Sequence, residues 1–539
     1  MLNLEVSMNK RINSTIAKLE NKAKKNSWEA AYQLYEYYLE GKYVDQNYDL
    51  AQFYINLAAK HVESDFVYME ELSISNFRAL DELTLNFSEK NLIVLAGENG
   101  VGKSSILDGL SYSLSWLVNR ILYKGGKGKE IERLDIREDS DKGYSSVITK
   151  LNINRHTTIH FELCELHIGS STNKKSYLNE VTKLGALYKF AGENSSSFTL
   201  PIFAYYGVSR TIDISTKDIN VIDDINSSQN NNRFEAYTNA FSGKADIKSF
   251  LKWFKRLDDI EKHRATSSDS FSADDDLINK LAILAPSDLN ARKLLESLKQ
   301  KNQKKEDDNY LWEISKIKKN LNQTVNFFMD GYTDLSIEVE PVVRLTINKN
   351  GHKLNILQLS QGEKSLLALL LDISRRMIIL NPQLDNPLKS PGIIIIDELD
   401  LHLHPRWQRN IVTYFNLIFP NCQLIVSTHS PQVISEVRRE QVIILDKNND
   451  DIVYGYTPNQ SYGLTSNEIL NELMSDNERQ LIRTNEVEYQ ISNIFELIND
   501  GEIKDAKEEI LRLEEELNGD IPELLRAKME IELYGWDKE

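Results

Sequence analysis

The chain has 539 residues, of which 41% are hydrophobic, and its formal net charge is −17. This length allows roughly two to four domains, and the acidic balance argues against a general nucleic-acid coat. No apolar run reaches the length of about 18 residues that a membrane span needs, and residues 1–20 are too polar for a secretory signal. The two cysteines, Cys164 and Cys422, lack metal-ligand spacing, so we expect a cytoplasmic protein that contacts no membrane.

Residues 1–66 are predicted to form a helical extension. Two stripes have the spacing of a buried helix face: Ala31, Leu34, Tyr35 and Tyr38 in one, and Ala51, Tyr54, Ile55 and Ala58 in the other. Gly41 stands where the first helix should end. The stretch 28–60 resembles one Sel1-like repeat of the tetratricopeptide type, although an ordinary helical hairpin has the same pattern. A lone repeat cannot bury both of its faces, so we expect it to pack against this chain or a partner.

Residues 67–215 are predicted to form the first lobe of an α/β domain. The stretch ELSISNFRALDELTLNF (71–87) alternates apolar and polar residues, which predicts an antiparallel hairpin. The run NLIVLAG (91–97) is continuously apolar and ends in glycine, as a strand buried on both faces should. Further strands are predicted in the alternating stretch 145–163 and in the apolar run LPIFAYYG (200–207).

The motif GENGVGKSS directly follows this buried strand and fits the P-loop pattern G-x-x-x-x-G-K-[ST]. An apolar helical segment follows it, as the motif requires. Glycines let the backbone wrap around phosphate oxygens, while the amides and the helix N-terminus supply positive potential. We expect Lys103 to reach the β- and γ-phosphates of ATP and the Ser104 hydroxyl to hold Mg²⁺. The predicted nucleotide-binding residues are Gly97, Glu98, Asn99, Gly100, Val101, Gly102, Lys103, Ser104 and Ser105.

Residues 216–340 are predicted to form a polar, helical lobe, with helices in SFLKWFKRLDDIE (249–261) and LINKLAILA (277–285). The densest basic stretch of the chain lies here: Arg292, Lys293, Lys299, Lys301, Lys304, Lys305, Lys316, Lys318 and Lys319. The solvated face of a helix is the ordinary interpretation, and contact with the phosphates of DNA or RNA is the alternative. No heptad pattern continues for more than a few turns, which argues against a long coiled-coil arm.

Residues 341–470 are predicted to form the second lobe. In GIIIIDE, four isoleucines form a buried strand that delivers Asp397 to its C-terminal end, where ligands bind in such sheets. Asp397 would hold the magnesium, directly or through water, and Glu398 would polarise the attacking water. LSQGEKS (359–365) precedes a long apolar helix, and QLIVSTHS (423–430) is a further buried strand that leads to His429.

The histidines His402 and His404 follow Asp397 and Glu398 closely enough to suggest a catalytic metal site, as in a nuclease. Beside a P-loop, however, the two carboxylates are better assigned to ATP-bound magnesium and the attacking water. The histidines then shape the segment 399–405, and metal ligation is the weaker alternative.

Residues 471–539 are predicted to form an acidic helical tail with two apolar stripes: Ile491, Ile494, Phe495 and Ile498, then Ala506, Ile510, Leu513 and Leu517. Such stripes usually pack within a chain, although a terminal pair of helices can also dock a partner.

The ordered set of P-loop, LS-x-G-E, Asp-Glu strand end and late histidine resembles the ABC-type ATPase heads. LSQGE departs from the LSGGQ of the transporters and is closer to the soluble SMC, RecF and OLD-like branch. The resemblance implies an α/β ABC-type P-loop head, with a mixed sheet and a helical lobe. In that family the signature motif completes the ATP site of the opposite subunit. Ser360, Gly362 and Glu363 of the motif would then meet the γ-phosphate of the partner's nucleotide, and His429 would sense it, in a head-to-head homodimer.

Four stretches together resemble the PtuA ATPases of Septu-type anti-phage defence and their retron-associated members: NFRAL, FAYYGVSR (203–210), RFEAYTNAFSGKADIKSFLKWF (233–254) and IDELDLHLHPRWQ. The resemblance covers residues 70–475 and places Tyr206 and Arg210 near the nucleotide. It implies that an HNH-type nuclease, PtuB, does the cutting while the ATPase senses and gates. For retron members it also implies a reverse transcriptase and its RNA–DNA product as partners.

Other functions carry the same motifs. They are a RecF- or SMC-like DNA-repair ATPase, an OLD-like ATPase with its own nuclease, and a scaffold for which ATP is a structural ligand. An OLD-like nuclease needs a Toprim domain, but VIILDKNNDD (442–451) has no preceding V-E-G segment. A closing strand of the ATPase head is the more economical interpretation of that stretch.

Overall fold

The computed structural model describes residues 14–87, 90–137, 142–210, 232–265, 314–338, 344–448, 452–473, 485–517, 519 and 521–536. The chain divides into two units, Met1–Gly463 and Leu464–Glu539. The predicted helix 277–285 and the basic residues from Arg292 to Lys305 lie outside the described residues.

The helices of the larger unit are α1 (14–24), α2 (Trp28–Glu40), α3 (Tyr48–Val62), α4 (Lys103–Leu122), α5 (Asn179–Asn194), α6 (Ile247–Ala265), α7 (314–328), α8 (Gln361–Leu380), α9 (Pro405–Ile418) and α10 (Pro431–Ile434). Its strands are β1 (Val67–Phe77), β2 (Leu80–Asn86), β3 (Leu92–Gly97), β4 (Tyr144–Ile153), β5 (Thr157–Leu166), β6 (Ile202–Tyr206), β7 (Tyr332–Glu338), β8 (Arg344–Lys349), β9 (His352–Asn355), β10 (Gly392–Ile396), β11 (Cys422–Ser427), β12 (Val442–Lys447) and β13 (Val453–Tyr456).

One mixed sheet joins ten strands of the described residues in the order β13-β12-β3-β11-β1-β4-β5, with β10 between β11 and β6, and β2 beside β1. Strands β12, β3, β11, β10 and β6 run parallel, whereas β1, β2, β4 and β5 pair antiparallel. The predicted hairpin 71–87 is confirmed, and so is the α/β class with a mixed sheet. Because β12 pairs parallel with β3 inside this sheet, the stretch from 442 is a closing strand of the domain.

Strands β3, β6, β10 and β11 are buried along their whole length, which explains their continuous apolar sequences. Helix α4 packs across this sheet and contacts β3, β10 and β11. Parallel strands end at one edge of a sheet, so β3, β6, β10 and β11 bring their C-terminal residues together there. Three predicted site segments, at Gly97, Asp397 and His429, begin at or just beyond these strand ends.

The N-terminal helices form the predicted pair. Ser27 caps the start of α2 through its hydroxyl, and Gly41 ends it in the left-handed conformation with φ of 70°. The pair packs against α5 of the same chain, where Lys183 forms an ion pair with Glu36. Ala31 and Leu34 are buried, whereas Tyr35 is only half-buried. The assignment to Sel1-like repeats stays a prediction.

Between the two parts of the sheet, the described residues form α6, α7 and a small sheet of β7, β8 and β9. Lys318 of the predicted basic stretch is held by Asp258 of α6, at 2.8 Å, and by Glu261. This lysine therefore lies in an ion-pair network of its own chain rather than on a free phosphate-binding face.

The smaller unit contains α11 (Ser466–Leu473), α12 (Asn485–Asn499), α13 (Ile503–Leu517) and α14 (Pro522–Trp536). Its core contains residues of the two predicted stripes, which are Ile491, Ile494, Ile498, Ala506, Ile510 and Leu513. Leu524, Ala527 and Ile531 of α14 complete this core. Phe495 and Leu517 pack against this core while partly exposed. Among the described residues, no helix has the length and apolar character needed to cross a membrane.

Candidate functional site

The loop from Gly97 to Gly102 joins β3 to α4, and its three glycines adopt backbone conformations that favour glycine. Gly97, Gly100 and Gly102 have φ values of 139°, 80° and 108°. A Cβ added at Gly97 would lie 2.3 Å from the carbonyl oxygen of Leu445 on β12. Gly102 begins the helix without a side-chain hydrogen bond to the first turn. The amides of that turn therefore have no side-chain acceptor of their own cap, as an anion site at a helix N-terminus requires.

Lys103 lies folded across this loop with only 5% of its surface exposed. Its Nζ donates hydrogen bonds to the carbonyl oxygens of Gly97, at 2.8 Å, and Glu98, at 2.6 Å. Burial lowers the pKa of Lys103 to about 8, although the charges of Asp397, Glu398, Asp400 and Glu98 oppose that shift. These carboxylates are close enough to act on the ammonium, so the structure brings the P-loop lysine and the acidic strand end together.

Asp397 directly follows β10 and is 2% exposed. Its N–H donates to the carbonyl oxygen of Tyr206 at 2.8 Å, and its Oδ1 accepts a hydrogen bond from the Ser427 hydroxyl. The same hydroxyl oxygen accepts the N–H of Glu398 at 2.7 Å. Ser427 thus fixes both members of the acidic pair from the neighbouring strand β11.

Glu398 adopts φ of 47°, a left-handed conformation that is uncommon for a residue with a side chain. Such backbone outliers persist where the surrounding structure holds them, and they cluster at functional sites. Two hydrogen bonds to Ser427 hold this conformation. The N–H of Glu398 donates to the Ser427 hydroxyl oxygen, and the N–H of Leu399 donates to the Ser427 carbonyl oxygen at 2.9 Å.

His429 lies just beyond β11 at the same edge of the sheet. Burial lowers the pKa of His429, the charge of Lys103 lowers it further, and Asp400 and Asp397 oppose the shift. The imidazole is therefore within electrostatic reach of the P-loop lysine and the acidic strand end. We call the residues Lys103, Asp397, Glu398, Asp400 and His429 the P-loop cluster.

The signature motif begins α8. Ser360 caps the helix, and Glu363 completes a capping box by accepting the Ser360 N–H at 2.7 Å. The other carboxylate oxygen accepts the Tyr332 hydroxyl at 2.6 Å and the Lys349 ammonium at 2.7 Å. Burial acts against ionisation, but these donors lower the pKa of Glu363 to about 2. Glu363 is thus held by three donors of its own chain.

Gly362 packs directly against the segment that follows the acidic pair. A Cβ added there would lie 2.0 Å from the carbonyl oxygen of His402, whose own φ is 63°. A cavity of about 750 Å³ opens beside this contact, and we call it the signature cavity. Its lining residues are Phe327, Phe328, Asp330, Tyr332, Lys349, Ser360, Gly362, Glu363, His402, Leu403, His404, Arg406, Trp407, Asn410 and Tyr414. None of these lining residues belongs to the P-loop cluster.

The histidines of the D-E-L-D-L-H-L-H stretch have structural contacts. His404 caps α9 by accepting the Arg406 N–H on Nδ1 at 3.2 Å, and the His402 carbonyl oxygen faces Gly362. Among the described residues, no group of three or more His, Cys, Asp or Glu side chains could hold a metal ion. The metal-site alternative for His402 and His404 therefore has no support.

The residues present fit a magnesium-bound nucleotide. Carboxylate and hydroxyl oxygens are the ligands that Mg²⁺ prefers, and Asp397 and Ser104 offer one of each beside the P-loop. Loop amides and the Lys103 ammonium offer donors for phosphate oxygens.

The motifs alone could not predict the polar contacts that Ser427, Asp400 and Tyr205 make at this edge of the sheet. Tyr205, rather than Tyr206, faces the P-loop helix, and its hydroxyl donates to Asp108 at 2.8 Å. Arg78 of NFRAL pairs with the same carboxylate. Tyr206 reaches Asp397 only through its backbone, because its buried hydroxyl donates to Asp372 of α8 at 2.9 Å. The side chain of Arg210 lies outside the described residues.

A P-loop after a buried strand, together with an acidic pair that follows a parallel strand two positions away in the same sheet, defines a P-loop ATPase. The family described as "AAA domain, putative AbiEii toxin, Type IV TA system" matches residues 212–435. The family described as "Protein of unknown function (DUF2813)" matches residues 67–124.

Comparison with known proteins gives the family. The chain is 33% identical over 453 residues to the Retron Ec83 probable ATPase of Escherichia coli, covering 81% of this chain and 82% of that protein. It is 28% identical over 488 residues to the Retron Vc95 probable ATPase of Vibrio cholerae serotype O1 biovar El Tor, covering 89% and 93%. Septu protein PtuA of Bacillus mycoides is 24% identical over 394 residues, covering 72% and 42%. The chain belongs to the family of retron and Septu defence ATPases, which confirms the resemblance drawn from its motifs.

Proposed function

We propose that this chain is the ATP-dependent regulatory subunit of an anti-phage defence complex. ATP closes two copies head to head, and closure controls an associated nuclease of the HNH type. The observation that carries the proposal is that no residue of the P-loop cluster lines the signature cavity of the same chain. Each would complete the other only across an interface between two copies.

At the P-loop, the amides of the first turn of α4 and the Lys103 ammonium bind the triphosphate. Ser104 and Asp397 are the residues that would hold Mg²⁺, which neutralises phosphate charge and orients the γ-phosphate for attack. Glu398 polarises the attacking water from the end of β10, where Ser427 fixes its backbone. His429, kept largely neutral by burial and by Lys103, offers an uncharged hydrogen-bonding group to the γ-phosphate.

At the signature cavity, Ser360 and Gly362 meet the γ-phosphate of the nucleotide bound by the second copy. Glu363 orders that corner through its capping box with Ser360. The segment 399–405 lies between the two half-sites, since it follows Glu398 and packs on Gly362. It can therefore report nucleotide state from one half-site to the other.

The defence role follows from membership of the retron and Septu family. Cutting is assigned to the nuclease partner, and in a retron the complex also includes a reverse transcriptase and its RNA–DNA product. The ATPase lobes (67–215 and 341–470) flank a helical lobe (216–340), and the complex works in the cytoplasm. We propose that partner proteins bind the N-terminal extension (1–66) and the acidic tail (471–539). A nucleic acid would contact the basic stretch.

The test compares Glu398→Gln with Lys103→Ala during size-exclusion chromatography with ATP. The first variant binds ATP without hydrolysing it and should elute as a closed dimer. The second cannot hold the phosphates and should elute as it does without nucleotide. ADP in place of ATP is the control, because it lacks the γ-phosphate that spans the interface. Identical elution of both variants with ATP would rule out ATP-driven closure.

A further inference from the structure

Lys349 lies at the end of β8, and its side chain reaches the start of the signature helix. Its Nζ is 2.7 Å from Glu363 Oε1, and both side chains line the signature cavity with Ser360 and Gly362. The Lys349 side chain is 35% exposed, whereas that of Glu363 is 12% exposed. Lys349 is therefore the more exposed member of this pair, and its side chain lines the signature cavity.

The signature motif carries a negative charge, on Glu363, that a cation must balance if a phosphate is to bind beside it. Glu363 stands where the transporters' LSGGQ has an uncharged glutamine, and its carboxylate stays ionised, with its pKa lowered to about 2. An uncompensated negative charge three residues from Ser360 would repel an incoming γ-phosphate. Lys349 neutralises that charge at the place where a phosphate would approach the helix.

Lys349 can also bind a phosphate without leaving Glu363 unpaired. An ammonium has three donors, so one can stay on the carboxylate while another reaches a phosphate oxygen. If the lysine moves further, Glu363 keeps the hydroxyl of Tyr332 and the N–H of Ser360. Because the Lys349 side chain is 35% exposed, water screens its end of the ion pair and lowers the cost of such an exchange.

We infer that Lys349 binds the γ-phosphate of the nucleotide held in the P-loop of a second copy. It acts from the opposite subunit, beside Ser360 and Gly362, and selects the triphosphate over the diphosphate. This inference rests on the head-to-head dimer proposed above and adds to it a charged contact that the signature motif does not contain.

The experiment measures the ATP concentration that gives half-maximal dimerisation, by analytical ultracentrifugation, in the full-length Glu398→Gln chain. Adding Lys349→Gln should raise that concentration at least about tenfold, since a charged contact to the γ-phosphate is lost. Lys349→Arg should restore most of the loss. Binding of ATP to the monomer at low protein concentration should not change, which also shows that the variants are folded.

Two further variants separate phosphate binding from a purely structural role. Lys353→Gln is the matched control: it removes a lysine of the neighbouring strand β9 that pairs with Glu338 and does not line the signature cavity, and it should leave dimerisation near that of the parent. In a Glu363→Gln background, Lys349→Gln should still weaken dimerisation. If it has no further effect there, or if Lys353→Gln weakens dimerisation as much, the inference is wrong.

The outcomes also separate this inference from the proposed function. A Glu398→Gln chain that stays monomeric with ATP overturns both. A dimer that forms equally well with Lys349→Gln overturns the role of Lys349 alone.

Discussion

The P-loop cluster and the signature cavity lie in the same unit of the chain, yet they are built in different ways. The cluster is set by backbone: β3, β6, β10 and β11 are parallel, and their ends place the chemical groups at one edge. The cavity is set by side chains from β7, β8, α7, α8 and α9, which meet only through tertiary packing. The arrangement of the P-loop cluster therefore follows from strand pairing, whereas that of the signature cavity depends on contacts between side chains.

The largest expected effect lies in the P-loop cluster. Lys103→Ala removes a buried cation that donates across the loop, and ATP binding should weaken by about 100-fold or more. Equilibrium dialysis with labelled ATP gives the value. The free energy of unfolding should change little without nucleotide, because removing a buried charge offsets the two lost hydrogen bonds. Undiminished ATP binding would mean that the cluster is not the phosphate site.

Gly362→Ala tests the signature cavity through the rate of ATP hydrolysis. The added Cβ would lie 2.0 Å from the His402 carbonyl oxygen, so α8 must move away from the segment 399–405. We expect ATPase turnover to fall roughly 30-fold while ATP binding to the monomer is kept. Gly519→Ala is the matched control, because a Cβ there meets nothing within 4 Å. Loss of monomer binding would instead place Gly362 in the P-loop half-site.

Ser427→Ala sharpens the comparison, because this serine holds the P-loop cluster without being one of the predicted site residues. Its hydroxyl donates to Asp397 and accepts the Glu398 N–H, so its loss should lower turnover about tenfold through misplaced carboxylates. The requirement for Mg²⁺ should rise in parallel. Ser374→Ala is the control, since the buried Ser374 hydroxyl has no hydrogen-bond partner among the described residues. Equal loss in both variants would point to general destabilisation.

The smallest expected effect is a pH dependence of ATP binding. Burial lowers the pKa of Lys103 to about 8, and bound phosphate must raise it again. Below that pH the lysine is already protonated and affinity should be constant. Above it, binding must take up a proton, so affinity should fall by up to about tenfold per pH unit. Lys103→Arg stays charged and should lack this slope; the same slope in that variant would assign it to another group.

The same contrast explains what could be predicted from sequence. The runs LIVLAG and GIIII and the P-loop glycines follow local rules of burial and backbone conformation, so their strands and the residues Lys103, Asp397 and His429 could be placed in advance. The apolar stripes of α12 and α13 follow the helical period in the same way. Contacts between side chains distant in sequence leave no such local signal. Ser427 holds Asp397 from 30 residues away, and Lys349 reaches Glu363 from 14 residues away, with β9 between them in the chain, so neither could be assigned from spacing.

The most direct test of the central claim mixes two inactive chains. Lys103→Ala has an intact signature cavity, and Gly362→Ala has an intact P-loop cluster. If the two half-sites work across an interface, a heterodimer contains one complete site, and the mixture should hydrolyse ATP well above the sum of the separate variants. An ATPase rate equal to that sum, in a mixture shown to contain heterodimers, would contradict the account.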